Sequence, residues 1–475
     1  MVAAAGQAPL NLWPLALAGF AGLFALVLPA ASPRQAAKRA WLFGGGYFAA
    51  ALAWLVEPFL VDIARHGWMA PFALFFMSFG LALFWAAAGW GAARVGGGAR
   101  RALALAVALG LAELARSYVF TGFPWALIGH LWIGTPVMQL ASLAGAQGLT
   151  VLTLLALALV FAWRVPGAVL ALALIGAGWG WGAWRLAQPD RAVAEPVHVR
   201  LLQPNAAQRL KWRPDMVPVF FDRQLDYTAA ASDPAPDLIV WPETAVPYML
   251  ERAEGALEVI AGAAAGTPVL FGVQRRDGGG VYNSLAVLDG QGKVTQVYDK
   301  HHLVPFGEYI PLRGLAVRLG LSGLATDLLY GYTPGPGPQV LDLGGAGEVL
   351  PLICYEAIFP QDLRAATRPD WILQVTNDAW FGAFSGPYQH LAQARLRAVE
   401  QGLPVLRSAN TGVSAVIDAK GRVLDSLPLN TAGHLTVPLP PALPATPYAR
   451  IGDWPGLALY LLAGLLVVLT LRKRR

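Results

Sequence analysis

The chain has 475 residues, 56% of them hydrophobic and 13% charged, with 17 Trp and a formal net charge of +6. That composition is too apolar for a wholly soluble protein and too mixed for one lying in a bilayer throughout, so it predicts a membrane domain joined to a globular one. A single cysteine excludes an intramolecular disulfide, and the small charge for this length gives no reason to expect a nucleic-acid partner.

A helix needs about 20 apolar residues to cross a bilayer core. Such runs occur at Leu12–Ala31, at Trp41–Val56 with an extension to Leu60, at Pro71–Ala92, Ala102–Val119, Val137–Trp163 and Pro166–Trp184, and alone near the end at Pro455–Leu471. The first lacks the positive n-region and small-residue cleavage site of a signal peptide. Arg34, Lys38 and Arg39 follow the first run, Arg94, Arg100 and Arg101 the third, Arg164 the fifth, and Arg472 to Arg475 the last. The opposite connections, Glu57–Gly67 and Phe120–Pro136, carry only Arg65 as Lys or Arg. This bias places the N-terminus and residues 185–454 outside the cytoplasm and the basic tail inside. Glu113 and Arg116 lie three apart within a run, where an ionisable pair is either functional or a mutual ion pair. Thr121-Gly-Phe-Pro-Trp125, with Trp132 beyond it, reads as an interfacial aromatic anchor.

After a polar linker at 186–196, short β-branched runs alternate with helix-like stretches to residue 450, the pattern of a layered α/β domain. Strands are expected at Val197–Leu202, Leu238–Trp241, Val269–Val273, Val281–Leu288, Val294–Tyr298, Val349–Ile353, Trp371–Val375, Val405–Ser408 and Val413–Asp418. Helices are expected at Pro214–Ala231, Val246–Ala265 and Tyr388–Gln401. Asp289-Gly-Gln-Gly292, Asp418-Ala-Lys-Gly421 and Gly278–Gly280 are turn signals.

Chemistry concentrates where three of these apolar runs meet polar residues. Leu350-Pro-Leu-Ile-Cys354-Tyr-Glu356 holds the lone thiol, Asp237-Leu-Ile-Val-Trp-Pro-Glu243 ends in a carboxylate, and Val294-Thr-Gln-Val-Tyr-Asp-Lys300 ends in an ammonium. A lone buried cysteine is most often a packing residue. A thiol that is to attack a carbonyl, however, needs a base and a nearby cation, because only a few per cent is ionised near neutrality. Glu243 and Lys300 supply that pair.

At these positions the chain resembles the nitrilase (carbon-nitrogen hydrolase) superfamily, and its membrane-integral branch, the apolipoprotein N-acyltransferases, in particular. Four motifs carry the likeness: Trp241-Pro-Glu-Thr-Ala-Val-Pro247, Lys300-His-His-Leu-Val-Pro-Phe-Gly-Glu-Tyr-Ile-Pro311, Ile353-Cys-Tyr-Glu356 and Thr376-Asn-Asp-Ala-Trp-Phe-Gly382. The resemblance runs from about Trp41 to the end; family members carry eight spans where seven runs are counted here, and Leu12-Trp-Pro-Leu resembles the start of their second. It implies a multi-span helical membrane domain (1–185) plus an α-β-β-α sandwich (197–450) and a last span at 455–471.

By the same resemblance Cys354 is the nucleophile, Glu243 the general base and Lys300 the stabiliser of the oxyanion, beside the Tyr355 backbone N–H. Glu308 and Glu356 support them, and Trp212, Asn377, Trp380 and Phe381 bind substrate, the last two with Phe384 and Tyr388 in a loop that dips into lipid. A roof over the site is expected at 314–329. The implied reaction moves an acyl chain from a phospholipid, phosphatidylethanolamine by preference, through a Cys thioester to the α-amine of a diacylglyceryl-cysteine on an apolipoprotein. The implied setting is a bacterial inner membrane, with the catalytic domain on the periplasmic face of a monomer. No cofactor is implied. His301 and His302 suggest a metal, but no carboxylate or cysteine stands at ligand spacing from them, so none is expected. A membrane-tethered amidase and a ligand-binding transporter or receptor are the competing readings.

Overall fold

The computed structural model describes residues 1–190, 193–311 and 331–472, with side chains to residue 465. The expected roof at 314–329 lies wholly outside the described residues. The chain forms two compact units: residues 1–190, 381–402 and 443 onward make one, and 191–380 with 403–442 the other.

The first unit is helical. Two of its segments, Ile63–Ala93 and Pro136–Ala187, are long and apolar enough to cross a membrane. The first expected run shortens to a helix at Trp13–Val27. The second begins earlier, at Pro33, where Ser32 Oγ caps the Gln35 N–H at 3.2 Å. It ends at Ala51 and turns by 68° into Ala53–Leu60. The two runs expected at 137–163 and 166–184 form one helical segment, Ala141–Ala187, broken where Arg164 takes a φ of +50° ahead of Pro166. The chain folds back there: a Cβ on Gly167 would lie 1.9 Å from the Leu159 carbonyl, and one on Gly182 would lie 1.9 Å from that of Pro136. Small residues on the returning arm thus let two apolar helices touch along their backbones.

Glu113 and Arg116 prove to be a buried ion pair at 2.9 Å. The Glu113 carboxylate also accepts from Trp85 Nε1 and the Ile128 N–H, while Arg116 donates to the carbonyls of Phe123 and Trp125. The pair organises the 123–128 loop, as a buried charge pair must if its lone pairs and protons are all to be used. Trp125 and Trp132 are buried, not interfacial. Trp125 Nε1 donates to Gln389 of the Gly386–Gln401 helix, whose Oε1 also accepts from Trp54. That helix was expected in the globular domain and belongs to the membrane unit.

The second unit is a pair of sheets. One runs β12-β1-β2-β3-β4-β5, from Gly433–Pro438 (β12), His198–Gln203 (β1), Leu238–Val240 (β2), Val269–Asp277 (β3), Gly280–Leu288 (β4) and Val294–Asp299 (β5). The other runs β11-β10-β9-β8-β7-β6, from Val423–Leu427 (β11), Ser414–Ile417 (β10), Val405–Ala409 (β9), Trp371–Thr376 (β8), Glu348–Ile353 (β7) and Leu341–Asp342 (β6). β1–β3 are parallel, as are β7–β9, and the remaining pairs are antiparallel. The sheets meet face to face, with Ser408 Oγ on β9 donating to the Leu202 carbonyl on β1 at 2.9 Å and Gln203 Oε1 accepting from the Ser414 N–H at 2.9 Å. Helices Val217–Ala229 and Glu254–Ala264 cover the first sheet, whose core holds Ile239, Trp241, Ile260, Phe271 and Leu288. The nine expected strands all form; β6, β11 and β12 do not follow from the apolar pattern, because β11 lies exposed and β12 only half-buried at the edges.

Candidate active site

Each candidate catalytic residue leaves the carboxyl end of a strand: Glu243 after β2, Lys300 after β5, Cys354 after β7. Glu243 can turn inward because β3 offers it a glycine. A Cβ on Gly272 would lie 2.4 Å from the Thr244 amide nitrogen, and Thr244 itself takes a φ of +46°. The buried Glu243 carboxylate is then held from several sides. Oε1 accepts from Asn283 Nδ2 at 2.8 Å, Oε2 accepts from the Asn377 backbone N–H at 2.7 Å, and Lys300 Nζ lies 3.8 Å from Oε1.

Lys300 is 1% exposed, and its ammonium donates to Glu308 Oε1 at 2.8 Å. Burial pulls its pKa down, but the Glu308 and then the Glu243 carboxylate outweigh that and hold it above the ordinary lysine value. Glu308 is fixed in turn by the Val304 N–H at 2.7 Å on its other oxygen. A permanent cation is thus locked beside the acid.

Cys354 is buried and takes a φ of +53°, strained for a side chain with a Cβ. It opens a tight helical turn, Cys354–Ile358. Burial pushes the thiol well above its ordinary pKa, Glu243 adds to the rise and Lys300 opposes it. Burial of this kind favours the protonated form of the sulfur.

Glu356 braces this elbow. Its Oε2 accepts from the Ile353 N–H at 2.7 Å, and its Oε1 accepts from the backbone N–H groups of His301 at 2.8 Å and His302 at 3.3 Å and from the Tyr298 hydroxyl at 2.9 Å. One carboxylate joins the residue before the thiol to the residues after the lysine, while Glu308 holds the ammonium. Tyr355 is buried with its ring edge-on to Phe359 at 5.0 Å.

The expected substrate-binding residues separate. Trp212 is 46% exposed at the rim of a crevice shared with Lys211, Phe220, Pro242 and Glu243. Asn377 is not available to substrate: its backbone N–H serves Glu243, its Nδ2 donates to Gln208 and its Oδ1 accepts from Asn410. Trp380 is exposed at 38%. Phe381 is half-buried and in the membrane unit packs on Trp54 at 4.9 Å, Trp125 at 5.9 Å and His390 at 5.7 Å; Phe384 is 66% exposed.

Two contributors escape the sequence reading. Asn283 bonds Glu243 and also reaches Glu308 at 3.3 Å; its signal was a polar Asn-Ser pair inside the otherwise apolar run of β4. Lys211 is buried, with Nζ on Thr244 Oγ1 at 2.9 Å and on the Glu243 carbonyl at 3.2 Å. The expectation that no carboxylate attends His301 and His302 fails as well, because the fold brings Asp362 within 3.2 Å of both rings.

Comparison with known proteins agrees with this architecture. Residues 201–446 match the carbon-nitrogen hydrolase family and residues 1–159 match the apolipoprotein N-acyltransferase N-terminal domain. A protein of Bradyrhizobium diazoefficiens named apolipoprotein N-acyltransferase is 40% identical, across 97% of this chain and 91% of its own. Proteins of the same name from Rhodopseudomonas palustris and Caulobacter vibrioides are 37% and 38% identical; each comparison covers 98% of this chain and 92% of the relative.

Proposed function

The chain belongs to the apolipoprotein N-acyltransferases, and from that premise we propose that Glu243, Lys300 and Cys354 acylate lipoproteins by a two-step, ping-pong route. In the first step the Cys354 sulfur attacks the ester carbonyl of a membrane phospholipid while Glu243 takes the thiol proton. Lys300 faces the negative charge that develops on the carbonyl oxygen, with the Tyr355 N–H as its partner. The ester C–O bond breaks, the proton passes from Glu243 to the departing lysophospholipid oxygen, and a thioester remains. In the second step the α-amine of a diacylglyceryl-cysteine attacks the thioester, Glu243 takes the amine proton, and the C–S bond breaks to regenerate the thiol.

The observation that carries this reading is the ammonium of Lys300 set 2.8 Å from Glu308 and 3.8 Å from Glu243, on the same strand ends that present the strained Cys354 elbow. A carboxylate beside the thiol suits an ester, because the proton it takes from sulfur can be returned to the leaving alkoxide. Phosphatidylethanolamine donating its sn-1 chain is the proposed first substrate. The Lys/Arg bias of the connecting segments supports a multi-pass protein of the inner membrane with the sandwich on its periplasmic side, acting as a monomer. Holding both lipid substrates in one bilayer replaces a three-dimensional search with local encounter.

Mass spectrometry of the intact, purified protein after incubation with phospholipid vesicles tests the proposal. A hydroxylamine-sensitive acyl adduct on Cys354, absent from Cys354→Ala and discharged by a diacylglyceryl peptide, is expected. Transfer that persists in Cys354→Ala would overturn it, and hydrolysis of a soluble amide with no adduct would favour a membrane-tethered amidase.

A further inference from the structure

His301, His302 and Asp362 form a cluster that the proposed reaction does not use. The two histidines follow Lys300, and Asp362 begins the short helix that follows the Cys354 turn. Each offers one ligand atom, and the three atoms lie within 4.8 Å of one another. Asp362 Oδ2 is 3.2 Å from His301 Nε2 and 3.1 Å from His302 Nδ1. Bonds of about 2.0 to 2.2 Å from one Zn²⁺ to nitrogen and oxygen ligands produce edges of this length.

A second observation points the same way. His301 Nδ1 lies 2.7 Å from Glu356 Oε1 and 3.0 Å from the Tyr298 hydroxyl, while buried His301 Nε2 has Asp362 Oδ2 at 3.2 Å as its neighbour, in a geometry that is not that of a well-formed hydrogen bond. A carboxylate that takes the Nδ1 proton of a histidine sets the tautomer in which Nε2 presents a lone pair, and this is the usual arrangement behind a metal-bound histidine. The Nε2 lone pair and the Asp362 carboxylate then face each other with a cation needed between them. Either a proton or a metal ion can meet that need; two imidazole nitrogens and one carboxylate form a donor set that suits zinc. The three side chains are 13 to 19% exposed, which leaves a coordination position open to water.

We propose that His301, His302 and Asp362 bind a divalent transition metal ion, Zn²⁺ or a close analogue, with Glu356 orienting His301 from behind. The ion clamps the segment after Lys300 to the segment after Cys354, without touching the reacting atoms. Glu356 already joins these segments through their backbones, so the metal adds a side-chain link to the same joint.

The test uses the full-length Cys354→Ala protein in detergent or nanodiscs, which removes the only thiol as a competing ligand. Added Co²⁺ is expected to give a visible d–d absorption band that Zn²⁺ displaces at one equivalent per chain, with Zn²⁺ raising the thermal midpoint. Asp362→Asn and His302→Gln should each weaken Zn²⁺ binding by at least about tenfold, and folding of each variant is checked from its metal-free thermal midpoint. Failure of Co²⁺ to give a band, or Zn²⁺ affinity unchanged in both variants, would show that the cluster is only a proton-bridged ion triad and overturn the proposal.

Discussion

The backbone N–H of Asn377 donates to Oε2 of Glu243 at 2.7 Å, so the carboxyl end of β8 in one sheet orients the acid carried at the carboxyl end of β2 in the other. Neither residue could be placed by its own strand, because the Glu243 carboxylate, the proposed general base, is positioned by the closure of the sandwich. The other oxygen of the same carboxylate is held by Asn283 from β4. The two contacts share the task of orienting the carboxylate.

Glu243→Gln retains the size of the side chain and removes the proton acceptor. Acyl-adduct formation on Cys354 should slow by roughly 10² to 10⁴, as measured by intact-protein mass spectrometry at timed intervals. Asn283→Leu removes one of the two contacts and leaves the acid to the Asn377 N–H, and a smaller loss confined to kcat is expected.

Glu308→Gln removes the anion 2.8 Å from Lys300 Nζ and leaves the ammonium with Glu243 alone. The cation then moves toward the base. Activity should fall roughly ten- to a hundredfold, the range seen when an outer partner of a functional group is lost, with KM for the phospholipid little changed. A radiolabelled acyl-transfer assay in mixed micelles separates the two constants.

Glu356→Ala should act on folding before chemistry. It strands the N–H groups of Ile353 and His301 in a buried setting, and each unsatisfied group costs about 1 to 3 kcal/mol. A lowered thermal midpoint and faster proteolysis of the 300–305 segment are the expected signs.

Lys211 carries a pH signature. Burial lowers its pKa to about 8, against an opposing pull from Glu243. An unfolded lysine titrates near 10.4, so between about 8 and 10.4 the unfolded chain binds more protons than the folded one. Stability from this group therefore rises with pH through that window and is level below it. Lys211→Met should remove this rising contribution, seen as the pH-dependent difference between variant and parent denaturant midpoints from pH 7 to 10.

In the membrane unit, Glu113→Ala leaves Arg116 buried without its 2.9 Å partner. Loss of one member of such a pair costs about 3 to 5 kcal/mol, whereas the paired replacement Glu113→Leu with Arg116→Met should be far milder. Yield and thermal midpoint of the purified variants distinguish the two.

Much of this site was legible in the chain. Glu243, Lys300 and Cys354 each end a run with strand character, and the runs before Glu243 and Cys354 are buried on both faces while that before Lys300 is only half-buried. The supports were less visible. Asp362 meets His301 across 61 residues of sequence, and Lys211 reaches Thr244 across 33, so spacing carried no sign of either. Aromatic residues misled for a related reason: Trp125 and Trp132 have the composition of a lipid-facing belt, yet hydrogen bonds to Gln389 and Thr153 draw them inside. Composition reports apolarity, not which solvent the ring meets.

The Gly386–Gln401 helix makes the enzyme indivisible by truncation. A recombinant fragment spanning 197–450 would keep this helix but discard Trp54, Trp125 and Ala146, the residues that satisfy its inward-facing Gln389 and Glu400. Such a fragment would strip the Gln389 amide of its tryptophan donors and leave apolar side chains of the helix facing water, while Glu400 would keep Arg397, and inclusion bodies are its expected fate. Because the polypeptide shuttles between its two units more than once, gene surgery aimed at a soluble hydrolase has no clean place to cut.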